Sequence, residues 1–240
     1  MSIEAIKRLW PSVQPLVFET DCPEYPYGTA GSLFIVGYKG KAFVITTRHA
    51  HNPENPCPIC VFPSDTSQRI IPLKDYFFVP RSDVPDDFAD FVVVEIDMGK
   101  ISDPEVGNAI LIDLNLCSGD WLSKSDTAEI YVMGYPNEYS YVNFEKEFLV
   151  NHRVMLRGRY IGPSDSPYLQ ELEVLETQNL STFSGLSGGP VFACIVQGNR
   201  GKIIFCGMVL RGTLSSRRIH FIDRSLLIQA LDTFLRKNTR

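Results

Sequence analysis

Positive charge is scarce in this sequence. Lys and Arg number 23 against 28 Asp and Glu, a formal net charge of −5, and no basic run appears anywhere in the chain. Nucleic-acid binders carry a clustered excess of Lys and Arg, so no nucleic-acid partner is expected. Long apolar runs are missing too. None approaches the roughly 18 residues that span a bilayer, and no membrane partner is expected. The opening MSIEAIKRLWPSV lacks the apolar centre of a secretory signal. The six cysteines, at positions 22, 57, 60, 117, 194 and 206, do not have the spacing of a disulfide framework. These absences point to a reducing, cytoplasmic setting. There is no internal repeat and no low-complexity tract.

What is present is a series of short apolar runs broken by Gly, Pro, Asn and Asp. Residues 32–37 and 42–47 flank Tyr38-Lys39-Gly40-Lys41 and read as a hairpin. Further strand candidates are 60–62, 70–73, 91–96, 128–133, 148–158, 170–175, 191–196, 202–210 and 219–221. They are rich in Val, Ile, Phe and Tyr, which suit a pleated, half-buried surface. Helical spacing occurs only at the ends. Ile3, Ile6, Leu9 and Trp10 precede Pro11, and Leu226, Leu227, Ala230, Leu231, Phe234 and Leu235 follow Asp223, a plausible N-cap. The pattern predicts an all-β protein with a C-terminal α-helix. The expected organisation is an N-terminal extension (1–27), a first β unit (28–110), a linker and second β unit (111–223) and the terminal helix (224–240).

One segment is chemically suggestive. Gly185-Leu186-Ser187-Gly188-Gly189-Pro190-Val191 puts a hydroxyl in a glycine-rich turn, where backbone N–H groups can converge on one spot. Such a turn can hold a nucleophile and the donors that receive an oxyanion. On its own it could equally be a tight β-turn. His49 follows the apolar residues Phe43-Val44-Ile45, at a strand end where the scaffold fixes its side chain. Asp90 opens Phe91-Val92-Val93-Val94. A carboxylate held against apolar residues needs a hydrogen-bond partner, and an imidazole N–H would supply one. Asp86 and Asp87 are alternative carboxylates nearby.

The blocks Thr46-Thr47-Arg48-His49-Ala50, Ala89-Asp90-Phe91 and Gly185 to Val191, in this order, resemble those of the trypsin-like (chymotrypsin-fold) serine peptidases. Gly28-Thr29-Ala30-Gly31-Ser32 and Gly134-Tyr135-Pro136 are similar to elements of bacterial members. The resemblance covers roughly residues 28 to 222. It implies two packed antiparallel β-barrels of six-stranded type with the active site between them. It also implies peptide-bond hydrolysis through an acyl-enzyme, a protein or peptide substrate, and neither metal nor organic cofactor. Ser187 would be the nucleophile, His49 the general base and Asp90 its orienting acid. The N–H groups of Gly185 and Ser187 would form the oxyanion hole. Ser181 would lie at the base of the first specificity pocket, and residues 210–212 would pair with the substrate backbone, Leu210 and Gly212 among them. Gly212 would leave the pocket mouth open.

Two departures from the family pattern matter. Digestive members carry Asp before the nucleophile, which pairs with a terminus freed by cleavage; here Leu186 stands there. Ile35-Val36-Gly37 resembles that terminus only superficially, since it lies within a strand. With no such device, restraint through narrow specificity or a regulatory protein partner is expected, with residues 161–168 and 1–27 as candidate control elements. The chemical rival is zinc. His49, His51, Cys57 and Cys60 cluster in sequence, and Cys57-Pro58-Ile59-Cys60 has the spacing of a zinc pair. The zinc deaminase pattern, however, needs a Glu where His51 stands. The aromatic stretch 139–148 reads as strand alternation into a barrel core, or as a ligand platform.

Overall fold

The structure is a computed structural model that describes residues 2–50, 58–63, 69–79, 86–101, 112–146, 148–164, 166, 168–197 and 200–237. The first unit is a seven-stranded sheet made of β1 (Val13–Glu19), β2 (Tyr27–Tyr38), β3 (Lys41–Thr47), β4 (Ile59–Cys60), β5 (Leu73–Phe77), β6 (Phe91–Ile96) and β7 (Ile112–Asp113). Its order is β4-β1-β2-β3-β6-β5, with β7 added in parallel to β2. The second unit begins at β8 (Glu129–Gly134). A separate two-stranded ribbon follows, β9 (Tyr141–Asn143) with β10 (Phe148–Val150). The strands β11 (Val154–Pro163), β12 (Leu169–Val174), β13 (Pro190–Gln197), β14 (Arg200–Thr213) and β15 (Arg218–Asp223) then complete a closed barrel with β8, in the order β11-β12-β15-β14-β13-β8.

The second unit is therefore the expected six-stranded barrel. The first does not close as a strand ladder through its described residues. Its end strands are short, and a backbone bond from Ile71 N–H to Val61 O (2.7 Å) bridges the two ends of the path. The boundaries expected from sequence also shift. The supposed N-terminal extension supplies β1, an inner strand between β4 and β2. Pro15 hid it, because proline cannot donate to a ladder. The structure accommodates Pro15 at an irregularity, where the β1–β2 register slips between Pro15 and Val17. At the other end β7 carries the first sheet to Asp113, past the expected limit.

The expected strand 148–158 is two strands. Residues 151–153 break it, and β10 turns to pair with β9 instead of joining the barrel. Of the aromatics of this stretch, Tyr139 packs against the core of the second barrel, while those of the ribbon lie outside it. Tyr141 and Phe148 are about half exposed, at 50% and 48%, and Phe144 stacks edge-on against Tyr25.

Three helices are described: α1 (Ser2–Lys7), α2 (Asp86–Ala89) and α3 (Arg224–Lys237). Asp223 caps α3 as its sequence position predicts, accepting from Ser225 N–H (2.8 Å) and Ser225 Oγ (2.5 Å). α3 docks on both β units. Phe234 stacks on Phe43 and Phe77 of the first sheet, while Leu227, Ala230 and Leu231 share a core with Phe205 and Met208 of β14. The same core includes Ile6, Phe34, Ile45, Tyr131 and Phe192, so both β units and both terminal helices bury apolar surface together. No helix among the described residues is long and apolar enough to cross a membrane.

Candidate active site

The pairing of β3 with β6 brings His49 to Asp90. Thr47 lies opposite Phe91 at the last rung, and the ladder continues one step as Arg48 N–H donates to Asp90 O (3.2 Å). His49 therefore leaves the end of β3 beside the residue that enters β6. Both Asp90 oxygens are used: Oδ1 accepts the His49 backbone N–H (2.7 Å), and Oδ2 lies 2.6 Å from His49 Nδ1. An ionised carboxylate only accepts, so Nδ1 carries the proton and Nε2 of the neutral ring is left as the acceptor. The Asp90 side chain is 17% exposed and that of His49 46% exposed. The alternative carboxylate Asp87 is engaged elsewhere. It pairs with Arg211 of β14 through both guanidinium ends (Arg211 Nη2 to Oδ2, 3.2 Å), an ion pair that crosses from α2 to the barrel. The Asp86 side chain lies outside the described residues.

Ser187 sits in the turn before β13. The turn has a fixed backbone conformation that only glycine supplies cheaply. Gly188 has φ +85, and a β-carbon there would overlap the Ser32 carbonyl. Gly185 has φ +93, and a β-carbon there would overlap Asn137 N and Tyr135 O. A β-carbon at Gly31 would lie 2.9 Å from Ser187 O and 3.7 Å from Ala50 Cβ, so the serine turn and the residue after His49 meet at one point of β2. The structure thus joins His49 to Asp90 and sets the Ser187 turn against β2 beside Ala50. No hydrogen bond joins Ser187 Oγ to His49 among the described residues.

The donors around Ser187 have a definite direction. Ser184 O accepts from Asn137 N–H (3.0 Å), and Leu186 O accepts from Gly189 N–H (2.9 Å). These peptides are trans, so the N–H groups on the same units, those of Gly185 and Ser187, point the other way. Neither donates to a described residue. The turn is tied to both β units. Ser32 N–H donates to Ser187 O (2.8 Å), Ser32 Oγ donates to Gly185 O (2.7 Å), and Gly188 N–H donates to Val209 O (2.8 Å).

Ser32 has no exposed surface and uses all its polar groups, for its Oγ also accepts Tyr135 N–H (2.9 Å) and its carbonyl accepts Thr46 Oγ1–H (2.7 Å). The sequence pattern places it in a strand and gives it no further role. The available signal was a serine among Leu33, Phe34 and Ile35, since a hydroxyl buried in such company must find partners.

The expected substrate-binding positions divide. Beyond Met208, β13 no longer pairs with β14; Arg211 and Gly212 pair with His220 and Ile219 of β15, while Leu210 sits at a slip in that register. No strand pairs with their other edge among the described residues. The Leu210 side chain turns into the core with 1% exposure. The space that a β-carbon of Gly212 would need is already bordered by Ile219 Cγ1 (2.9 Å) and Phe183 Cδ2 (3.1 Å), so its own barrel packs closely against it. Ser181 is bound up with a residue the sequence did not single out. Its N–H (2.9 Å) and its Oγ (2.5 Å) both donate to the Glu138 carboxylate. The Ser181 hydroxyl, aided by backbone N–H groups, holds the Glu138 carboxyl below the ordinary carboxylate range. The contact is therefore at full strength at neutral pH and is lost as pH falls through that depressed value.

Of the zinc rival, His51 and Cys57 lie outside the described residues. Cys60 is buried in β4 with 1% exposure, and burial pushes its thiol up to about 11. Cys22 is exposed. Alkylation with iodoacetamide at neutral pH, mapped by mass spectrometry, is expected to modify Cys22 well before Cys60. Among the described residues no group of three His, Cys, Asp or Glu side chains could hold a metal.

No family model matches the sequence, and no curated protein matches it. Solved structures do match in shape. A Glu endopeptidase shares 12% identity at a TM-score of 0.52, over 91% of this chain and 88% of that one. The protease Anisep from Arthrobacter nicotinovorans shares 14% identity at a TM-score of 0.53, over 93% and 94% of the two chains. Taken with the closed second barrel, the open first sheet and the C-terminal helix, these likenesses establish that the chain has the chymotrypsin-like two-barrel fold.

Proposed function

We propose that the chain is a serine endopeptidase. Ser187 Oγ attacks the scissile carbonyl, His49 Nε2 takes its proton and returns it to the leaving amine, and Asp90 holds the imidazole in the required tautomer and stabilises the imidazolium. The N–H groups of Gly185 and Ser187 receive the oxyanion of each tetrahedral intermediate. The ester of Ser187 is then hydrolysed by water by the same route in reverse roles. An extended substrate adds as a strand to the open edge of residues 210–212. The observation that supports this reading is the presence of two preset features in one chain. In one, a carboxylate fixes an imidazole with its Nε2 free, and in the other a serine stands between two N–H groups with no internal acceptor. The Ser187–His49 bond forms as substrate closes the site, since such contacts are commonly long before binding. Protein or peptide substrates follow from this mechanism, and a regulatory partner protein is part of the same proposal.

A fluorophosphonate probe tests the reading. The wild type is expected to gain one phosphonyl adduct on Ser187, and Ser187→Ala none. Absence of labelling, with tight binding of a peptide in the cleft, would instead make the chain a peptide-binding module on a protease scaffold. Asp90→Asn provides a second test. Asparagine has one acceptor oxygen for two donors and no charge for the imidazolium, so kcat is expected to fall by about 10⁴-fold with KM little changed. Steady-state kinetics on a cleaved peptide would check it.

A further inference from the structure

A free terminus pairing with an acid before the nucleophile cannot order this oxyanion loop, because Leu186 occupies that place and is fully buried in the second core. Something else must hold residues 181–185. The helical turn Asn137–Tyr139 reaches the loop from outside. Asn137 N–H donates to Ser184 O (3.0 Å), and Asn137 Nδ2 donates to Ser184 Oγ (3.1 Å). Ser181 N–H (2.9 Å) and Ser181 Oγ (2.5 Å) both donate to Glu138. The turn is itself anchored to the first sheet, where Gly31 N–H donates to Asn137 Oδ1 (3.2 Å) and Thr29 Oγ1 donates to Ser140 O (3.2 Å).

We propose that Asn137 and Glu138 are positioning residues that brace the oxyanion loop in the uncut chain, so that no cleavage of the N-terminus is required to order it. The inference rests on the peptidase reading and adds to it how the site is made competent. The physical reason lies in the Ser184–Gly185 peptide. Its carbonyl must be held outward for its N–H to face the cleft; released, the unit can rotate and present a carbonyl where the oxyanion should sit. Asn137 fixes that carbonyl directly. Glu138 fixes the start of the same loop with two hydrogen bonds to an ionised group, which are about twice as strong as neutral ones. Both act through the loop, and neither is hydrogen-bonded to Ser187.

The experiment compares wild type, Glu138→Ala and Glu138→Gln by two readouts: hydrogen exchange of the peptide covering residues 181–189, and the kinetics of fluorophosphonate labelling and peptide turnover. Glutamine keeps one acceptor oxygen but loses the second and the charge. In Glu138→Ala, exchange of that peptide is expected to quicken about tenfold or more while barrel strands β12 and β15 stay protected. Labelling rate and kcat are expected to fall about 100-fold with KM nearly unchanged, as displaced donors lose the transition state and not the substrate. Glu138→Gln is expected to fall between the two and supplies the comparison if the alanine variant does not fold. Unchanged loop exchange in a folded Glu138 variant would overturn the brace, as would unchanged labelling in a wild type that labels. A wild type that never labels would remove the peptidase reading, and exchange alone would then decide whether the brace holds the loop.

Discussion

Ser187→Ala is expected to reduce peptide turnover by about 10⁵–10⁶-fold while leaving the fold intact. Removing Oγ deletes the atom that forms the acyl bond, and none of the bonds that shape the turn depend on it. Ser32 N–H still reaches the carbonyl of residue 187, and Gly188 N–H still reaches Val209 O. The thermal midpoint is therefore expected to stay within a few degrees of wild type, on the order of 1 kcal/mol for loss of one partly exposed hydroxyl. His49→Ala is expected to cost a similar factor, and the double variant no more than either alone, because nucleophile and base act as one unit. Single-turnover assays with a peptide ester and a melting curve would check all three. Turnover that survives Ser187→Ala in pure protein would end the serine mechanism.

Gly188→Ala is expected to be the most damaging single change to stability near the site. Its backbone has φ +85, which costs a residue with a β-carbon about 1–3 kcal/mol. The new methyl would also overlap the Ser32 carbonyl and lie 2.8 Å from Thr46 Oγ1, and backbone cannot step aside as a flexible side chain can. The turn must move, and the bonds from Ser32 N–H to Ser187 O and from Thr46 Oγ1 to Ser32 O are strained or lost. Each buried group left unsatisfied adds about 1–3 kcal/mol, for a total of about 3–9 kcal/mol. That is a large share of the roughly 5–15 kcal/mol that holds a domain folded. At about 2–4 °C per kcal/mol for a chain of this size, the midpoint is expected to fall by roughly 6 °C or more. Differential scanning calorimetry would measure it. A variant that melts with wild type would show that the Ser32–Ser187 contact does not organise the cleft.

Local pattern was enough to read much of this chain. The strand of residues 91–96 is found as β6 at those residues, because a run of Phe, Val and Ile is unambiguous in an all-β setting. The helix after Asp223 was legible from its apolar stripe and its cap. β1 was not legible, since Pro15 contradicts a strand locally and only the bulge opposite β2 resolves the conflict. The ribbon β9–β10 was misread for the opposite reason. Its aromatics satisfy strand propensity but do not say which neighbour the strand will choose.

The sequence by itself determined the chemical inventory of the site: a serine flanked by glycines, an imidazole at a strand end, a carboxylate opening another strand, and no acid before the nucleophile. Tertiary structure decided which of these groups meet. It selected Asp90 over Asp87 by β3–β6 register, made Ser32 the buried junction of the two units, and set Asn137 and Glu138 against the loop that carries Gly185. Residue type fixes what a group can donate, accept or attack. Orientation and partners depend on contacts between segments distant in the chain, and those exist only once the two β units have packed their shared core.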